Sequence, residues 1–250
     1  MNKSIIGSLV AFLIIYQINL NAQESGQVIY ETIVQYNFKS YPGKTEWNNF
    51  IANLPKSGTS VHSLNFNTDK ALFSEDLSNK EATSAKLTRA IGILNRGKGP
   101  QVKSLEVFYD FDKSKKFEQV EFMTRLFIVE SEMEAVAWKM TGEMKKVMNY
   151  VCMGAELKEG EDTITAWFSS EIPVSVGPDQ YGGLPGLILG IEKNGVVVSL
   201  ATSLSLKGMK KGTIQKPKDG KKMSLEAFNE MVAEKREEVK NAKPKSDKKG

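Results

Sequence analysis

The strongest constraint on the fold is an alternation of apolar and polar side chains that recurs along most of the chain. Over residues 28–38, the positions that share one face are Val28, Tyr30, Thr32, Val34, Tyr36 and Phe38. Successive side chains of a β-strand point to opposite faces, so this spacing predicts a strand with one buried face. Alternation or short apolar runs predict further strands over 61–66, 71–73, 105–111, 116–123, 125–130, 135–140, 146–155, 163–168, 187–191 and 196–200.

The turns between these segments indicate how the strands connect. Asn194-Gly195 separates two apolar runs and is the strongest short signal for a two-residue hairpin. Residues 67–70 have the polar composition of another hairpin turn. Short strands joined by tight turns favour an antiparallel sheet over alternating strands and helices. The sequence therefore predicts a mainly β (α+β) fold built as a curved antiparallel β-meander. If the sheet curves strongly enough, this meander forms a half-barrel.

Three segments depart from the strand pattern and have apolar residues at helical spacing. They cover residues 47–54, 87–94 and 225–232. Thr45 precedes the first and Ser224 the third, and both residue types are favoured as N-caps. We expect one or two short inserted helices and a short C-terminal helix.

The first residues have the pattern of a secretory signal. Lys3 supplies a positive start, residues 5–18 are almost wholly apolar, and Ala22 offers a small residue for cleavage. An uncleaved membrane anchor would need about 20 apolar residues, which is longer than this run. We expect export of a soluble or peripherally bound protein. The predicted organisation is a signal peptide over 1–22, a single β-rich domain over 23–239 and a basic disordered tail over 240–250.

Composition narrows the chemistry. One cysteine rules out a disulfide framework or a multi-cysteine metal cage, and one histidine rules out a site with several imidazoles. Residues 205–250 hold 14 Lys and Arg against 7 Asp and Glu, whereas residues 23–204 hold 19 against 23. The basic residues lack the interleaved aromatic side chains of a nucleic-acid surface. We therefore expect the protein to bind no nucleic acid, metal ion or cofactor.

Residues 177–189, hereafter the motif segment, are unusually rich in glycine and proline. They read Gly-Pro-Asp-Gln-Tyr-Gly-Gly-Leu-Pro-Gly-Leu-Ile-Leu. Pro185-Gly186 fits the central pair of a type II turn. A phosphate-binding loop would need a following Lys-Ser or Lys-Thr, which the sequence lacks. The pattern predicts a stiff loop that leads into an apolar strand, with leucines that could stand exposed.

The motif segment resembles that of a known family. Residues 183–188 spell Gly-Leu-Pro-Gly-Leu-Ile, the letters that name the GLPGLI family of secreted Bacteroidetes proteins. The segments 138–139, 149–155, 166–168, 171–178, 217–218 and 224–228 also resemble that family. The resemblance implies antiparallel-sheet proteins of the cell envelope, in the periplasm or at the periplasmic face of the outer membrane if not fully secreted. Such proteins are often found beside TonB-dependent transporters and have no assigned function, so the resemblance implies no catalytic residues.

Two residues could in principle carry nucleophilic chemistry. Cys152 would need an imidazole base, and His62 is the sole histidine. However, Cys152 lies inside the apolar run 147–153, where a thiol behaves as a small hydrophobe. His62 stands in a predicted strand, where a hydrogen-bonded or exposed histidine is the simpler interpretation. An enzyme with a Cys152/His62 site therefore remains the alternative, and a non-enzymatic protein is preferred.

We expect the protein to act by binding, either to an outer-membrane partner such as a transporter system or to a small apolar ligand held by aromatic residues of the curved sheet. An ordinary filled core is the other interpretation of those aromatic residues. A tether to envelope polymers through the basic tail, 240–250, is a further alternative. The predicted binding residues all lie in the motif segment and are Gly177, Pro178, Tyr181, Gly183, Leu184, Pro185, Gly186 and Leu187.

Overall fold

The computed structural model describes residues 25–76, 85–95, 99–209 and 212–242. The predicted signal peptide and residues 243–250 of the predicted tail lie outside these residues. The strands are β1 (Ser25–Gln35), β2 (Ser57–Asn67), β3 (Lys70–Glu75), β4 (Val102–Asp110), β5 (Lys115–Phe122), β6 (Arg125–Glu132), β7 (Lys139–Val147), β8 (Tyr150–Glu159), β9 (Asp162–Ser169), β10 (Leu187–Lys193), β11 (Val197–Ser205) and β12 (Lys221–Ser224). The helices are α1 (Thr45–Ala52), α2 (Ala85–Leu94) and α3 (Leu225–Ala242).

The twelve strands form one sheet in the order β12-β6-β5-β4-β3-β2-β1-β11-β10-β9-β8-β7. It consists of two meanders, β1 to β6 and β7 to β11, which are joined where β1 pairs with β11. All neighbours are antiparallel except β12, which lies parallel to β6. The sheet is open, with β12 and β7 at its edges. The predicted mainly β fold with a curved antiparallel sheet is confirmed.

The connection between the two meanders shows how strongly the sheet curves. β6 and β7 lie ten strand positions apart, which would be about 48 Å in a flat sheet. Residues 133–138 connect them, and a fully extended linker of that length spans at most about 25 Å. The sheet must therefore bend and twist so that β6 and β7 approach each other.

We call the face of the sheet that carries Val28, Tyr30 and Leu64 the inner face.

Most local predictions are confirmed, and one turn is missed. Asn194 and Gly195 form the predicted hairpin turn, with φ of 53° and 67°. The single strand predicted over 146–155 is wrong, because the chain turns at Met148 (φ 51°) between β7 and β8. β7 begins only at Lys139, so most of the strand predicted over 135–140 is irregular.

All three predicted helices are present. The Ser224 hydroxyl accepts a hydrogen bond from the Ala227 N–H at 3.3 Å, as expected of an N-cap. The predicted cap at Thr45 is wrong: Lys44 is the N-cap residue of α1 and makes no side-chain cap bond. The C-terminal helix α3 has 18 residues and packs Phe228 and Val232 against β5 and β6. β12 was not predicted; its four residues have no clear alternation.

The main core lies on the inner face and is closed by a long connection. Residues 170–186 run from β9 to β10 and fold back over the sheet. The fully buried Tyr30 donates its hydroxyl hydrogen bond to the Ile188 carbonyl at 2.6 Å, which ties β1 to the end of this connection. The largest buried cluster joins Val28, Tyr30, Leu64, Phe66, Phe73, Val107 and Tyr109 with Ile172, Val176, Leu187 and Leu189.

Candidate functional site

The second half of the motif segment fills one end of the inner face. Leu187 has no exposed surface and Leu184 only 2%. Leu184 packs with Phe168 and Ile188, in the cluster that also holds Tyr181. The expectation that these leucines stand exposed is wrong, because their side chains complete the core. Gly183 and Pro185, on either side of Leu184, are exposed.

The backbone around Pro185 makes a tighter turn than the sequence predicts. The Gly186 N–H donates to the Leu184 carbonyl at 2.8 Å, and the Leu187 N–H donates to the Ile172 carbonyl at 2.9 Å. The Gly186 φ of 155° is far from the value of about 80° that a type II turn has at this position, so that prediction is wrong. The bond from Gly186 to Leu184 closes a three-residue turn instead. Gly186 has φ of 155°, and a Cβ there would lie 2.2 Å from the Ser169 carbonyl oxygen. Only glycine fits this approach.

The first half of the motif segment lies over an open part of the inner face. Val176 and Gly182 pair across the base of this loop. Residues 178–181 form its tip, where the Tyr181 N–H donates to the Pro178 carbonyl at 3.3 Å. Asp179 sits at the tip with φ of 56°, a left-handed conformation that Asp tolerates better than most residues. The Tyr109 hydroxyl donates to the Asp179 carbonyl at 3.2 Å and fixes the tip to β4.

Opposite this tip, three hydroxyl side chains lie in a row across adjacent strands. Thr32 of β1 pairs directly with Ser60 of β2 on one side and with Ser199 of β11 on the other. Directly opposite residues of an antiparallel pair share a face, so all three lie on the inner face. The Thr32 hydroxyl donates to Ser199 Oγ at 3.0 Å. We call Ser60, Thr32 and Ser199 the hydroxyl row.

His62 lies one step further along β2, between the hydroxyl row and the apolar core. It pairs with Tyr30 on β1 and with Glu75 on β3. Its Nδ1 is 3.3 Å from the Thr32 hydroxyl, and its ring stacks on Phe73 at 5.1 Å and 11°. The stacking and the hydrogen bond together hold the imidazole in one orientation. The strand position predicted for His62 is confirmed.

Together the loop tip, the hydroxyl row and His62 enclose a cleft of about 450 Å³, within the size range of small-molecule sites. Its apolar wall comes from Phe73, Leu105, Ile191 and Val197. Acidic and basic groups lie around it, namely Glu75 and Asp179 against Lys103 and Lys193. The cleft can thus offer hydroxyl groups, an imidazole, both signs of charge and an apolar surface to one small molecule.

Asp179 has an unusual electrostatic environment for a residue that solvent reaches. The surrounding protein raises the pKa of its carboxyl to about 6, chiefly because the loop tip partly removes the carboxyl from water and then through the negative charge of Glu118. Lys116 and Lys193 oppose that shift. Burial also raises the pKa of Tyr181, whose hydroxyl lies 3.5 Å from Glu159. A carboxyl with such a pKa can exchange a proton near neutral pH.

Cys152 lies in the core. Its side chain has no exposed surface, and its Sγ is 3.8 Å from the Tyr150 carbonyl. Burial raises the pKa of the thiol, which is the opposite of what an activated nucleophile needs. His62 instead contacts Thr32 and Phe73. The geometry gives the Cys152/His62 alternative no support, and it stays a prediction.

Two further features concern metals and membranes. Within residues 25–76, 85–95, 99–209 and 212–242, no cluster of three or more His, Cys, Asp or Glu side chains could hold a metal ion. Over the same ranges, no helix has the length and apolar character needed to cross a bilayer.

Of the predicted binding residues, Pro178 and Tyr181 line the cleft, and Gly177 lies at the base of the loop against Ile188. The other five lie at the filled end and are Gly183, Leu184, Pro185, Gly186 and Leu187. Sequence reasoning missed most of the lining, above all Ser60, Ser199 and Asp179. One signal was visible: Thr32 is a polar residue at an inward position of β1, among apolar neighbours at the same spacing. Whether the motif segment binds a partner stays a prediction.

One family comparison covers this region. A family model described as a protein of unknown function (Porph_ging) matches residues 156–190, from β8 through the motif segment. The match does not carry the GLPGLI name, so that likeness remains a resemblance. A search of curated proteins finds none whose sequence matches the chain.

The fold resembles that of solved structures. Two crystal forms of PNGF-II, in space groups P21 and C2, align with TM-scores of 0.52 and 0.54 at 17% identity. Each alignment covers 85% of this chain but only 34% and 33% of the PNGF-II chains. The chain therefore spans about a third of the length of those proteins. At this identity, the likeness shows a shared fold and nothing about function.

Proposed function

We propose that the protein is an exported binding protein of the cell envelope whose cleft takes up a small molecule. The export pattern at the N-terminus supports the location, and the cleft supports the activity. The observation that carries the proposal is the hydroxyl row, where three polar side chains replace the apolar residues expected on the inner face of a sheet. The Thr32 and Ser199 hydroxyls are bonded to each other, but a hydroxyl can donate one hydrogen bond and accept two, so the row retains capacity to bond a ligand in the cleft.

The lining favours a ligand with both an apolar face and hydrogen-bonding groups. Phe73, Ile191 and Val197 would contact its apolar face, while Thr32, Ser199 and His62 would bond its polar edge. Such a ligand is more polar than the small apolar ligand that the aromatic residues of the predicted strands indicate. The proposal leaves the partner, enzyme and tether alternatives as separate predictions.

The sole histidine makes the proposal testable. Because His62 is the only imidazole in the chain, its ring signals in an NMR spectrum need no assignment and report on the cleft alone. We expect small polar-apolar molecules from an envelope extract to shift the His62 signals. Bound molecules would be identified by native mass spectrometry of the same sample.

A variant pair separates the cleft from the rest of the sheet. The double substitution Thr32→Val and Ser199→Ala removes two hydroxyls and should weaken binding at least about tenfold, because each bond to a ligand contributes about 1 kcal/mol. Ser203→Ala, at an exposed position of β11, is the matched control and should bind normally. Ligands that bind without shifting His62, or that bind the double variant equally well, would contradict the proposal.

A further inference from the structure

A second surface, remote in sequence from the motif segment, is built from residues 36–58 together with α2. We call it the basic aromatic patch. Its aromatic side chains are exposed or half-buried. In α1, all of whose residues are described, no side chain is buried although the helix carries Trp47, Phe50 and Ile51. The aromatic residues of the basic aromatic patch are Tyr36, Phe38, Tyr41, Trp47 and Phe50.

Polar contacts hold this patch in shape in place of burial. The Lys44 N–H donates to the Tyr41 carbonyl at 3.2 Å, and Gly43 between them has φ of 73°, as in a type II turn with proline at its second position. The Asn48 side chain bonds both backbone groups of Tyr41, at 3.0 Å to the N–H and 2.8 Å to the carbonyl. The exposed Tyr41 and the half-buried Trp47 therefore stand on a fixed backbone.

The aromatic rings also form a connected layer. Tyr36 and Phe38 lie 5.8 Å apart, and so do Trp47 and Phe50. The Trp47 Nε1–H donates to the Lys39 carbonyl at 2.8 Å. Because its only polar atom is bonded within the protein, the exposed part of the Trp47 ring is hydrocarbon.

The charge of the patch is opposite in sign to the surrounding domain. Residues 36–58 and 85–95 hold five basic residues and one acidic residue, whereas residues 23–204 as a whole hold 19 against 23. The Arg89 guanidinium of α2 lies 5.6 Å from the centre of the Phe50 ring, which links the two helices. The basic residues are all exposed and are Lys39, Lys44, Lys56, Lys86 and Arg89.

We infer that the basic aromatic patch docks on the surface of an anionic phospholipid bilayer. Tryptophan and tyrosine favour the headgroup region, where an apolar ring and nearby polar groups are both satisfied. Lysine and arginine beside them are attracted to anionic lipids, by about 1 kcal/mol for each residue near the surface. A surface of this composition lies in the plane of the interface and does not span it. The inference rests on the patch alone and stands or falls separately from the cleft.

The experiment is co-sedimentation of the purified protein with vesicles of phosphatidylcholine that contain about a third phosphatidylglycerol. We expect binding that decreases as salt is added and that is absent with vesicles of phosphatidylcholine alone. The double substitution Lys44→Glu and Lys56→Glu should reduce binding at least about tenfold. Lys207→Glu with Lys221→Glu changes the net charge equally at exposed positions elsewhere and should bind like the wild type.

Tryptophan fluorescence locates the contact. Insertion of Trp47 into the headgroup region should shift the emission to shorter wavelength, and Trp47→Phe should remove that shift while the protein still sediments. Binding retained by the Lys44→Glu and Lys56→Glu variant, equal loss in the control pair, or equal binding to neutral vesicles would each overturn the inference. The first outcome would place the contact elsewhere, such as on the basic C-terminal residues.

Discussion

The inner face of the sheet is filled at one end and open at the other, and the same motif segment serves both. At the filled end, Leu184 and Leu187 are buried against the sheet. At the open end, Pro178 and Asp179 face the hydroxyl row across the cleft. Two halves of one glycine- and proline-rich loop thus do different things. One half is core, and the other half is part of the wall of a site.

The contrast shows why a motif can be specific without being a binding site throughout. Gly186 is required because a Cβ would collide with the Ser169 carbonyl, and Gly177 because a Cβ would lie 2.5 Å from that of Ile188. Both requirements are structural. The glycines bring the backbone close enough to the sheet for Leu184 to be buried and for Asp179 to reach the cleft.

The largest expected effect is a difference in stability between substitutions at two adjacent residues of the filled end. Leu184→Ala removes a side chain that is 2% exposed and should lower the free energy of unfolding by about 2–5 kcal/mol, from lost burial and the cavity left behind. Pro185→Ala, at an exposed position, should cost no more than about 1 kcal/mol. Urea unfolding of the two variants measures both. Equal, small losses would mean that the filled end is not core.

The boundary between the two ends is held by Tyr30. Tyr30→Phe keeps the ring and removes the 2.6 Å hydrogen bond to the Ile188 carbonyl, so we expect a loss of about 1–3 kcal/mol in the free energy of unfolding. Tyr41→Phe removes a hydroxyl from a residue that is 52% exposed and is the control. Thermal melting of both variants would show the difference. A loss as small as that of the control would mean that solvent replaces the bond.

The two ends also differ in how far the sequence predicts them. The alternation from Val28 to Val34 predicts the strand and its buried face, and Asn194-Gly195 predicts a hairpin, because both signals are local. The turn at Met148 is missed because the apolar residues around it outweigh the lone Asn149. The long pairing of β1 with β11 joins Thr32 to Ser199 across 167 positions, and no local pattern encodes it. The hydroxyl row becomes visible only when strand order is known.

Asp179 could not be predicted for a different reason. Its raised pKa comes from partial desolvation of the carboxyl at the loop tip and from Glu118, which lies on strand β5. Neither the tip geometry nor that neighbour follows from the residues next to Asp179 in the chain. The sequence marks the segment as a turn, and the three-dimensional arrangement gives the carboxyl its properties.

The smallest expected effect is a pH-dependent change in stability that comes from the Asp179 carboxyl at the open end. A pKa of about 6 in the folded protein, against about 3.9 in the unfolded chain, means that the folded state binds the proton more tightly. Stability from this group is therefore fully present below about pH 4 and is lost as the pH rises to about 6. Solvent reaches the side chain and screens the shift, so we expect the change in the free energy of unfolding across that window to be well below the roughly 3 kcal/mol that the full shift would give. Asp179→Asn should remove this part of the pH dependence.

Urea unfolding of the wild type and of Asp179→Asn at several pH values, compared as a difference, isolates the contribution from that of other carboxyls. Asp110, Glu130 and Asp162 have pKa values lowered mainly by hydrogen bonds to lysine side chains, so they change stability in the opposite direction with pH. Because both proteins share them, they cancel. Asp112→Asn, at an exposed turn position, removes the same charge outside the cleft and is the matched control. If the difference in the free energy of unfolding between the two proteins is constant from pH 4 to pH 6, Asp179 is solvated like an ordinary surface carboxyl. The open end would then lack the electrostatic character that distinguishes it from the rest of the surface.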